Sequence, residues 1–105
     1  MLDTLEILHE TGRTYNDLKL NNIMIDKNPD GIRMTLIDYG FAESYRNKAG
    51  EHVAPETSVE TFQGNLLFAS GNQMDFYKTS RRDDLISLSY IMLFLLNQFE
   101  IPGFP

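Results

Sequence analysis

Residues 15–40 read YNDLKLNNIMIDKNPDGIRMTLIDYG, and this stretch decides the fold. Two short apolar runs, at 23–25 and 34–37, predict two short strands. Between them, residues 28–31 (Asn-Pro-Asp-Gly) are typical of a tight turn, because proline fixes φ and glycine accepts a positive φ. The stretch therefore predicts a β-hairpin.

Polar residues stand immediately before the first predicted strand and immediately after the second. Asp17, Lys19 and Asn22 precede the first strand, and Asp38 follows the second. Because a tight hairpin places these two ends on the same side, we expect the four side chains to converge. A carboxylate that accepts a hydroxyl proton, a lysine for phosphate charge, and amide and carboxylate oxygens for Mg²⁺ make up much of a phosphoryl-transfer site.

Helical patterns flank the hairpin. An apolar stripe over residues 2–8, followed by Gly12 as a C-cap, predicts a first helix. Ser80 and Asp83 have the spacing of a capping box and predict the start of a second helix. Residues 85–96 are apolar on almost every side, which indicates a buried central helix, because a bilayer crossing needs roughly 20 such residues.

Composition excludes several classes of protein. The 105 residues are enough for one small domain, and their formal net charge of −6 argues against a nucleic-acid partner, which would need clustered Lys and Arg. The absence of cysteine excludes a disulfide framework, a thiolate zinc site and a thiol nucleophile. The first six residues contain the acidic side chains of Asp3 and Glu6, whereas a signal peptide begins with basic residues. We expect one domain, no membrane span, and an intracellular location, cytoplasmic or nuclear.

Four segments in chain order resemble motifs of the protein kinase family: Asp17-x-Lys19-x-x-Asn22, Asp38-Tyr39-Gly40, Gln63 to Ser70, and Ser80 to Leu88. The first is similar to the catalytic loop and the second to the Asp-Phe-Gly magnesium motif. The last two resemble the casein kinase 1 family in particular, and Ser70-Gly71-Asn72 matches the sequence that this family has in place of Ala-Pro-Glu. The resemblance implies an α+β fold of the kinase C-lobe type, mainly helical, with a short β-hairpin that carries the catalytic and magnesium loops.

The resemblance also implies a role for each matching residue in binding ATP and Mg²⁺. Asp17 would be the catalytic base for a Ser or Thr hydroxyl of a protein substrate, and Lys19 would stabilise the transferring phosphoryl group. Asn22 and Asp38 would hold Mg²⁺. Met24 stands where the family places a residue under the adenine ring.

Further positions would support this site. Asp84 would be the helix acid that accepts hydrogen bonds from the catalytic-loop backbone. Gly64, Asn65 and Ser70 would belong to the wall of the substrate pocket.

Three departures from the family pattern change these expectations. Tyr15 and Asn16 replace the His-Arg pair before the base, so activation by a phosphate that binds this arginine is not expected. Tyr39 replaces phenylalanine and adds a hydroxyl that needs a partner if it is buried. Glu60 and Leu67 stand where the family typically has basic residues, so a preference for phosphorylated or acidic substrates is not expected.

The glycine-rich loop, the strand lysine with its glutamate partner, and the adenine-binding hinge of the family have no counterpart in residues 1–105. We therefore expect these residues to form the core of a kinase lower lobe, without an upper lobe and without the last lower-lobe helices. Such a polypeptide is expected not to transfer phosphate alone, and a partner or a missing domain would have to cover its central helix. The alternative is a non-catalytic remnant, or pseudokinase module, that acts through its surfaces.

Two other patterns have plainer explanations. His9 and His52 have no partner at metal-site spacing and are expected to be surface residues. Residues 26–31 copy the first half of a calcium-binding EF-hand loop, but Ile37 stands at the twelfth position, where a carboxylate is needed. The hairpin turn explains the same residues.

Overall fold

The computed structural model of the chain describes residues 1–54 and 57–98, and within them short helices alternate with two small antiparallel sheets. In chain order the elements are α1 (Leu2–Glu10), β1 (Arg13–Thr14), a 3₁₀ turn (Leu20–Asn22), β2 (Ile23–Asn28), β3 (Gly31–Leu36), β4 (Glu43–Ser44), α2 (Gly71–Met74) and α3 (Arg81–Leu96). Strand β1 pairs with β4, and β2 pairs with β3. The predicted combination of helices with a β-hairpin is confirmed.

The predicted hairpin is formed by β2 and β3, in a register that runs from Ile23 opposite Leu36 to Asn28 opposite Gly31. Its turn follows the predicted chemistry: Gly31 has φ 135°, and the Asp30 N–H donates to Asn28 Oδ1 at 3.1 Å. The strands are longer than their apolar runs, because backbone pairing continues through polar residues up to the turn. Of the twelve strand residues only Leu36 is buried, so the hairpin extends away from the core.

Helix α1 ends close to where its sequence indicates, one residue earlier than expected. Thr11 occupies the C-cap, and Gly12 follows it with φ 89° while its N–H donates to the His9 carbonyl at 3.0 Å. This positive φ turns the chain sharply into β1, which glycine tolerates without a Cβ penalty.

Helix α3 begins at the predicted capping residues. The backbone N–H of Ser80 donates to Asp83 Oδ2 at 2.8 Å. Only one face of α3 is buried, by Ser87, Leu88 and Ile91 among others. Its other face exposes apolar side chains that include Leu85, Met92, Leu93, Leu95 and Leu96. The prediction of a helix buried on every side is therefore wrong for this structure. The exposed apolar side of α3 is the surface that a partner or a missing domain was expected to cover.

The core lies between α1, α3 and the loop that joins β1 to the 3₁₀ turn. Its buried members are Leu5, Tyr15, Leu18, Leu36, Phe68, Leu88 and Ile91. The loop carrying the predicted catalytic residues thus forms part of the core through Tyr15 and Leu18. None of the helices within residues 1–54 and 57–98 combines the length and the apolarity needed to cross a bilayer.

The polar stretch at 43–63, predicted to be a loop, has little regular structure. Strand β4 opens it, and isolated bridges join Arg46 to His52 and Ser58 to Tyr77. Pro55 and Glu56 lie outside the described residues.

Candidate active site

The loop before Asp17 is fixed by one buried carboxylate in the first turn of α3. Asp84 Oδ2 accepts the Tyr15 N–H at 2.7 Å, and Asp84 Oδ1 accepts the Asn16 N–H at 2.8 Å. Bonds to an ionised acceptor are stronger than bonds between neutral groups. The backbone that leads into Asp17 is therefore held in one position relative to α3.

His9 is the third partner of this carboxylate, and the prediction that it is a surface residue is wrong. His9 lies in the last turn of α1, is buried, and has its Nε2 2.8 Å from Asp84 Oδ2 across 75 positions of sequence. This contact joins the last turn of α1 to the first turn of α3. His52 is exposed, as predicted, with its Nδ1 2.7 Å from the Val53 carbonyl oxygen.

Asp17 and Asn22 lie in contact at the centre of the site. Asn22 Nδ2 is 2.9 Å from Asp17 Oδ2 and 3.0 Å from the Asp17 carbonyl oxygen, and both side chains are buried. Because the amide nitrogen faces Asp17, the amide oxygen of Asn22 is the group left to meet a cation. Asn65 approaches the other carboxylate oxygen, Asp17 Oδ1, at 3.4 Å.

Asp38 stands beside this pair at the exit of the hairpin. The Ile37 N–H donates to the Asn22 carbonyl at 2.9 Å, which brings the next residue alongside the Asp17 loop. Asp38 is exposed and has φ 60°, a left-handed conformation that Asp tolerates better than most residues. Its Oδ1 accepts the Gly40 N–H at 3.1 Å, and its Oδ2 points to no donor among residues 1–54 and 57–98.

Tyr15, which in the sequence stands out only as a departure from the family pattern, lies within electrostatic reach of Asp17 and Asp38. It is fully buried, its hydroxyl donates to the Ile37 carbonyl, and its ring meets Tyr39 edge-on at 5.3 Å. Burial raises the pKa of the Tyr15 hydroxyl above its usual range, and the negative charges of Asp17 and then Asp38 raise this pKa further. The hydroxyl therefore stays a neutral donor within electrostatic reach of both carboxylates.

Lys19 and Met24 are less closely tied to the pair. Lys19 has an extended backbone just before the 3₁₀ turn, and its ammonium group forms no ion pair within the described parts of the chain. Met24 is half-exposed on β2. Its neighbours Ile23 and Ile25 face the other side of the hairpin, where they line an apolar groove of about 550 Å³ against α3.

Asn16 joins the segment that follows the hairpin to the loop that carries Asp17. Its Nδ2 donates to the Phe41 carbonyl at 2.8 Å, and its Oδ1 accepts the Thr79 hydroxyl at 2.6 Å. Its carbonyl oxygen accepts Gln73 Nε2 at 3.0 Å. Gly64 packs on the same carbonyl so closely that a Cβ there would lie 2.2 Å from the oxygen, and its φ is 116°.

Two of the predicted pocket residues, Asn65 and Ser70, have different surroundings. Asn65 contacts the Asp17 loop directly, since its Nδ2 also donates to the Leu18 carbonyl at 2.8 Å. Ser70 is fully buried, caps α2 and donates its hydroxyl to Asp83 Oδ1 at 2.6 Å. Its hydroxyl is therefore used in hydrogen bonds within the fold and does not face a ligand.

The side-chain oxygen atoms of Asn22 and Asp38 are of the kind that binds Mg²⁺ and other hard cations. Residues 1–54 and 57–98 contain no group of three or more His, Asp and Glu side chains that could hold a metal by themselves. Mg²⁺ needs no such group, because it is bound by one or two protein oxygens together with substrate phosphates and waters. The donor set is thus compatible with a metal that arrives with a nucleotide.

Comparison with known proteins agrees with these features. Residues 1–102 match the family model described as protein kinase domain. A probable casein kinase I homolog of Encephalitozoon cuniculi (strain GB-M1) is 35% identical over 95 residues, which are 90% of this chain and 29% of that protein. A second such homolog of the same organism is 33% identical over 96 residues, 91% of this chain and 31% of that protein.

A human protein shows the same relation. The serine/threonine-protein kinase VRK3 of Homo sapiens is 42% identical over 97 residues, which are 89% of this chain and 19% of that protein. The chain spans less than a third of the length of these relatives.

Proposed function

Because the chain belongs to the protein kinase family and is casein kinase 1-like, we propose that it provides the lower-lobe core of a serine/threonine kinase. The reaction is transfer of the γ-phosphoryl group of ATP to Ser or Thr hydroxyls of proteins. The observation that carries the proposal is the buried contact between Asp17 and Asn22, with Asp38 beside it and the loop backbone fixed by Asp84.

In this proposal Asp17 positions the substrate hydroxyl and accepts its proton. Its Oδ2 is held by the Asn22 amide at 2.9 Å, so the carboxylate cannot rotate freely. Among the described residues its Oδ1 has only the long 3.4 Å contact with Asn65, which a substrate hydroxyl at ordinary hydrogen-bond distance would replace. Oδ1 is accordingly the proton acceptor.

The other groups would hold the nucleotide and the metal. Asn22 Oδ1 and the Asp38 carboxylate would bind Mg²⁺, Lys19 would lie along the transferring phosphoryl group, and Met24 would contact the adenine ring. When Mg-ATP is bound, ATP supplies the phosphoryl group and Mg²⁺ offsets the negative charge of the phosphates. Because catalysis of this kind rests on positioning and electrostatics, we further propose that residues 1–105 do not catalyse it by themselves.

Nucleotide binding is tested by a thermal-shift titration with Mg-ATP. A saturable rise in melting temperature is expected for the parent chain, since a ligand that binds only the folded state stabilises it. Asp38→Asn is expected to reduce the rise strongly. Asp26→Asn, an exposed change in the same hairpin, is the control and should leave it unchanged. A rise that survives Asp38→Asn, or the absence of any rise, contradicts the proposed metal-nucleotide site.

Catalysis is tested by transfer of radiolabelled γ-phosphate to casein. The purified 105-residue chain is expected to give no transfer above background. Transfer that disappears in Asp17→Asn would refute the proposed inactivity of the isolated chain and support the proposed role of Asp17. Transfer that persists in Asp17→Asn would contradict that role.

The exposed apolar face of α3 favours a second candidate, a non-catalytic interaction module. Side chains such as Leu93, Leu95 and Leu96 offer a surface for another protein. If Mg-ATP does not raise the melting temperature in the titration above, that result favours this candidate over the kinase.

A further inference from the structure

A cavity outside the proposed catalytic site lies between α1, the residues that follow β4, and the first turn of α3. Its volume is about 750 Å³, and it is here called the α1–α3 cavity. The buried side chains of Leu5, His9 and Tyr45 line it, together with the exposed side chains of Leu2 and Leu85. The described residues that line it include none of those assigned above to nucleotide, metal or substrate.

Four exposed charged side chains also line the α1–α3 cavity. Glu6 and Glu10 come from α1, whereas Arg46 comes from the segment after β4 and Arg81 from α3. Within residues 1–54 and 57–98, none of these four side chains forms a hydrogen bond or an ion pair. The cavity therefore has two carboxylates on α1 and two guanidinium groups on the other elements, all of them available to a ligand.

Tyr45 holds the two guanidinium groups at one place. Its ring is buried, and its hydroxyl donates to the His9 carbonyl at 2.6 Å, which fixes the ring against the end of α1. The guanidinium carbon of Arg81 lies 4.8 Å from the centre of this ring, and that of Arg46 lies 5.5 Å from it. Contact with an aromatic ring leaves the N–H groups of arginine free to bind a carboxylate.

Three of the four charges stand where the local helix disfavours them. Arg81 is the first residue of α3, at the positive end of the helix dipole, and Glu10 is the last residue of α1, at the negative end. Glu6 and Glu10 are four positions apart on one helix, where like charges repel. Charges that break local rules and have no partner in the described residues indicate a ligand, because such exceptions concentrate at functional sites.

We propose that the α1–α3 cavity binds an extended segment of another protein, in which an acidic and a basic side chain flank an apolar one. The carboxylate of the segment binds Arg46 and Arg81, its cationic group binds Glu6 and Glu10, and its apolar side chain covers the leucines of the cavity. Side chains at alternate positions of an extended segment lie on the same face, about 7 Å apart, so the three groups occupy positions i, i+2 and i+4. This binding is separate from phosphoryl transfer.

The test is an NMR titration of the isotope-labelled 105-residue chain with three peptides. The Lys–Glu peptide is Gly-Lys-Ser-Leu-Ser-Glu-Gly, the Glu–Glu peptide has Glu in place of Lys, and the Lys–Lys peptide has Lys in place of Glu. The Lys–Glu peptide is expected to bind about fivefold more tightly than either of the others, because each replacement turns one attraction into a repulsion. This preference should shrink towards one at about 1 M salt, where charges are screened beyond about 3 Å.

Two double variants separate the two ends of the peptide. In Arg46→Gln/Arg81→Gln, the Lys–Glu peptide is expected to lose its advantage over the Lys–Lys peptide alone. In Glu6→Gln/Glu10→Gln, it is expected to lose its advantage over the Glu–Glu peptide alone. All four side chains are exposed, so both variants are expected to fold.

Single substitutions of exposed charges elsewhere serve as matched controls. Arg33→Gln on β3 and Glu60→Gln in the polar stretch remove the same kinds of charge and should leave both advantages unchanged. The comparison of the three peptides on the parent chain needs no variant.

Equal affinity for the three peptides, tighter binding of the Glu–Glu or Lys–Lys peptide, or no binding of any peptide overturns the proposal. An advantage that survives removal of its own pair of charges, or that is lost equally in the controls, overturns it too. The titration contains no nucleotide, so its outcome is independent of the Mg-ATP experiment. Nucleotide binding without the peptide preference refutes the α1–α3 cavity alone, and the reverse result refutes the metal-nucleotide site alone.

Discussion

At the scale of single residues, Asp84 connects the most distant parts of the chain. One carboxylate accepts two backbone N–H groups of the loop before Asp17 and contacts the buried ring of His9. Each hydrogen bond to a charged group contributes roughly 1.5–3 kcal/mol, and removal of the acceptor also leaves buried donors without a partner. The stability of the fold and the position of Asp17 thus depend on the same side chain.

Asp84→Asn is therefore expected to lower the free energy of unfolding by about 3 kcal/mol, because an amide keeps one acceptor oxygen and turns an NH₂ group towards other donors. Urea denaturation measures the change. Asp26→Asn, in the exposed hairpin, is the control and should change the free energy by less than about 0.5 kcal/mol. Equal effects of the two substitutions would show that the Asp84 network contributes nothing.

Tyr15→Phe tests the electrostatics of the site through pH. The raised pKa of Tyr15 means that the folded chain keeps a proton that the unfolded chain releases above about pH 10. The contribution of protonated Tyr15 to the free energy of unfolding is complete below pH 10 and is lost as the pH rises above 10. At neutral pH the parent is expected to be more stable than Tyr15→Phe by about 1 kcal/mol, because the variant lacks the hydrogen bond to the Ile37 carbonyl. Above pH 10 the parent is expected to lose stability more steeply than the variant.

Denaturation curves between pH 8 and pH 11 measure this difference, with Tyr90→Phe on α3 as the matched control. Parallel loss of stability in the parent and in Tyr15→Phe would mean that the proton on Tyr15 has no influence on folding.

Residue-scale contacts were predictable from the local pattern only where the partners are close in sequence. The contact of Asp84 with the backbone of Tyr15 and Asn16, 69 and 68 positions away, was expected from the family resemblance alone. Asn22 is five positions from Asp17, and the hairpin pattern already suggests that they meet. The contacts of Asn65 with Asp17 and of His9 with Asp84 span 48 and 75 positions. They depend on how α1, α3 and the irregular segment pack together, and neither residue has a neighbouring pattern that indicates its partner.

At the scale of elements, local chemistry determines where structure begins and ends. The turn at 28–31 and the capping residues Ser80 and Asp83 were predicted correctly, because each signal lies within four residues. The full length of the strands was not predicted. β2 continues through Asp26, Lys27 and Asn28, whose polar side chains show no alternation because the hairpin lies outside the core.

Gly31→Ala is expected to destabilise the chain by about 1–2 kcal/mol, because alanine cannot adopt φ 135° without strain. A Cβ at this position would meet no atom within 4 Å, so the cost comes from the backbone alone. Gly71→Ala, at the start of α2, also has open space around its Cβ and lacks the positive φ. It is the matched control, expected to be neutral or slightly stabilising. Equal thermal destabilisation by both substitutions would contradict this account of the turn.

At the scale of the whole molecule, the chain is a flat plate. It measures 45 × 37 × 18 Å, and its radius of gyration of 14.6 Å exceeds the roughly 13 Å typical of a compact chain of this length. A thickness of 18 Å allows about two layers of secondary structure. The side of α3 away from the loop that carries Asp17 therefore has no third layer over it within the described residues, and its apolar side chains meet water.

This surface is expected to make the isolated chain bind hydrophobic dyes and associate with itself. The double variant Met92→Lys/Leu96→Lys should lower the fluorescence of the bound dye. It should also raise the highest concentration at which the chain is still monomeric in sedimentation experiments. Ile32→Lys, an equally exposed change on β3, is the control. An equal improvement in the control would show that added charge, and not the surface of α3, is responsible.

Gly64 has a consequence for how variation in this chain is interpreted. A Cβ at this position would lie 2.2 Å from the Asn16 carbonyl oxygen, and this oxygen belongs to the backbone, so it cannot rotate away as a side chain can. Every other amino acid at position 64 must push two chain segments apart and displace Asn65 from Asp17. In a mutational scan this glycine would therefore resemble a reactive residue, although its part in the site is to be a spacer of minimal size.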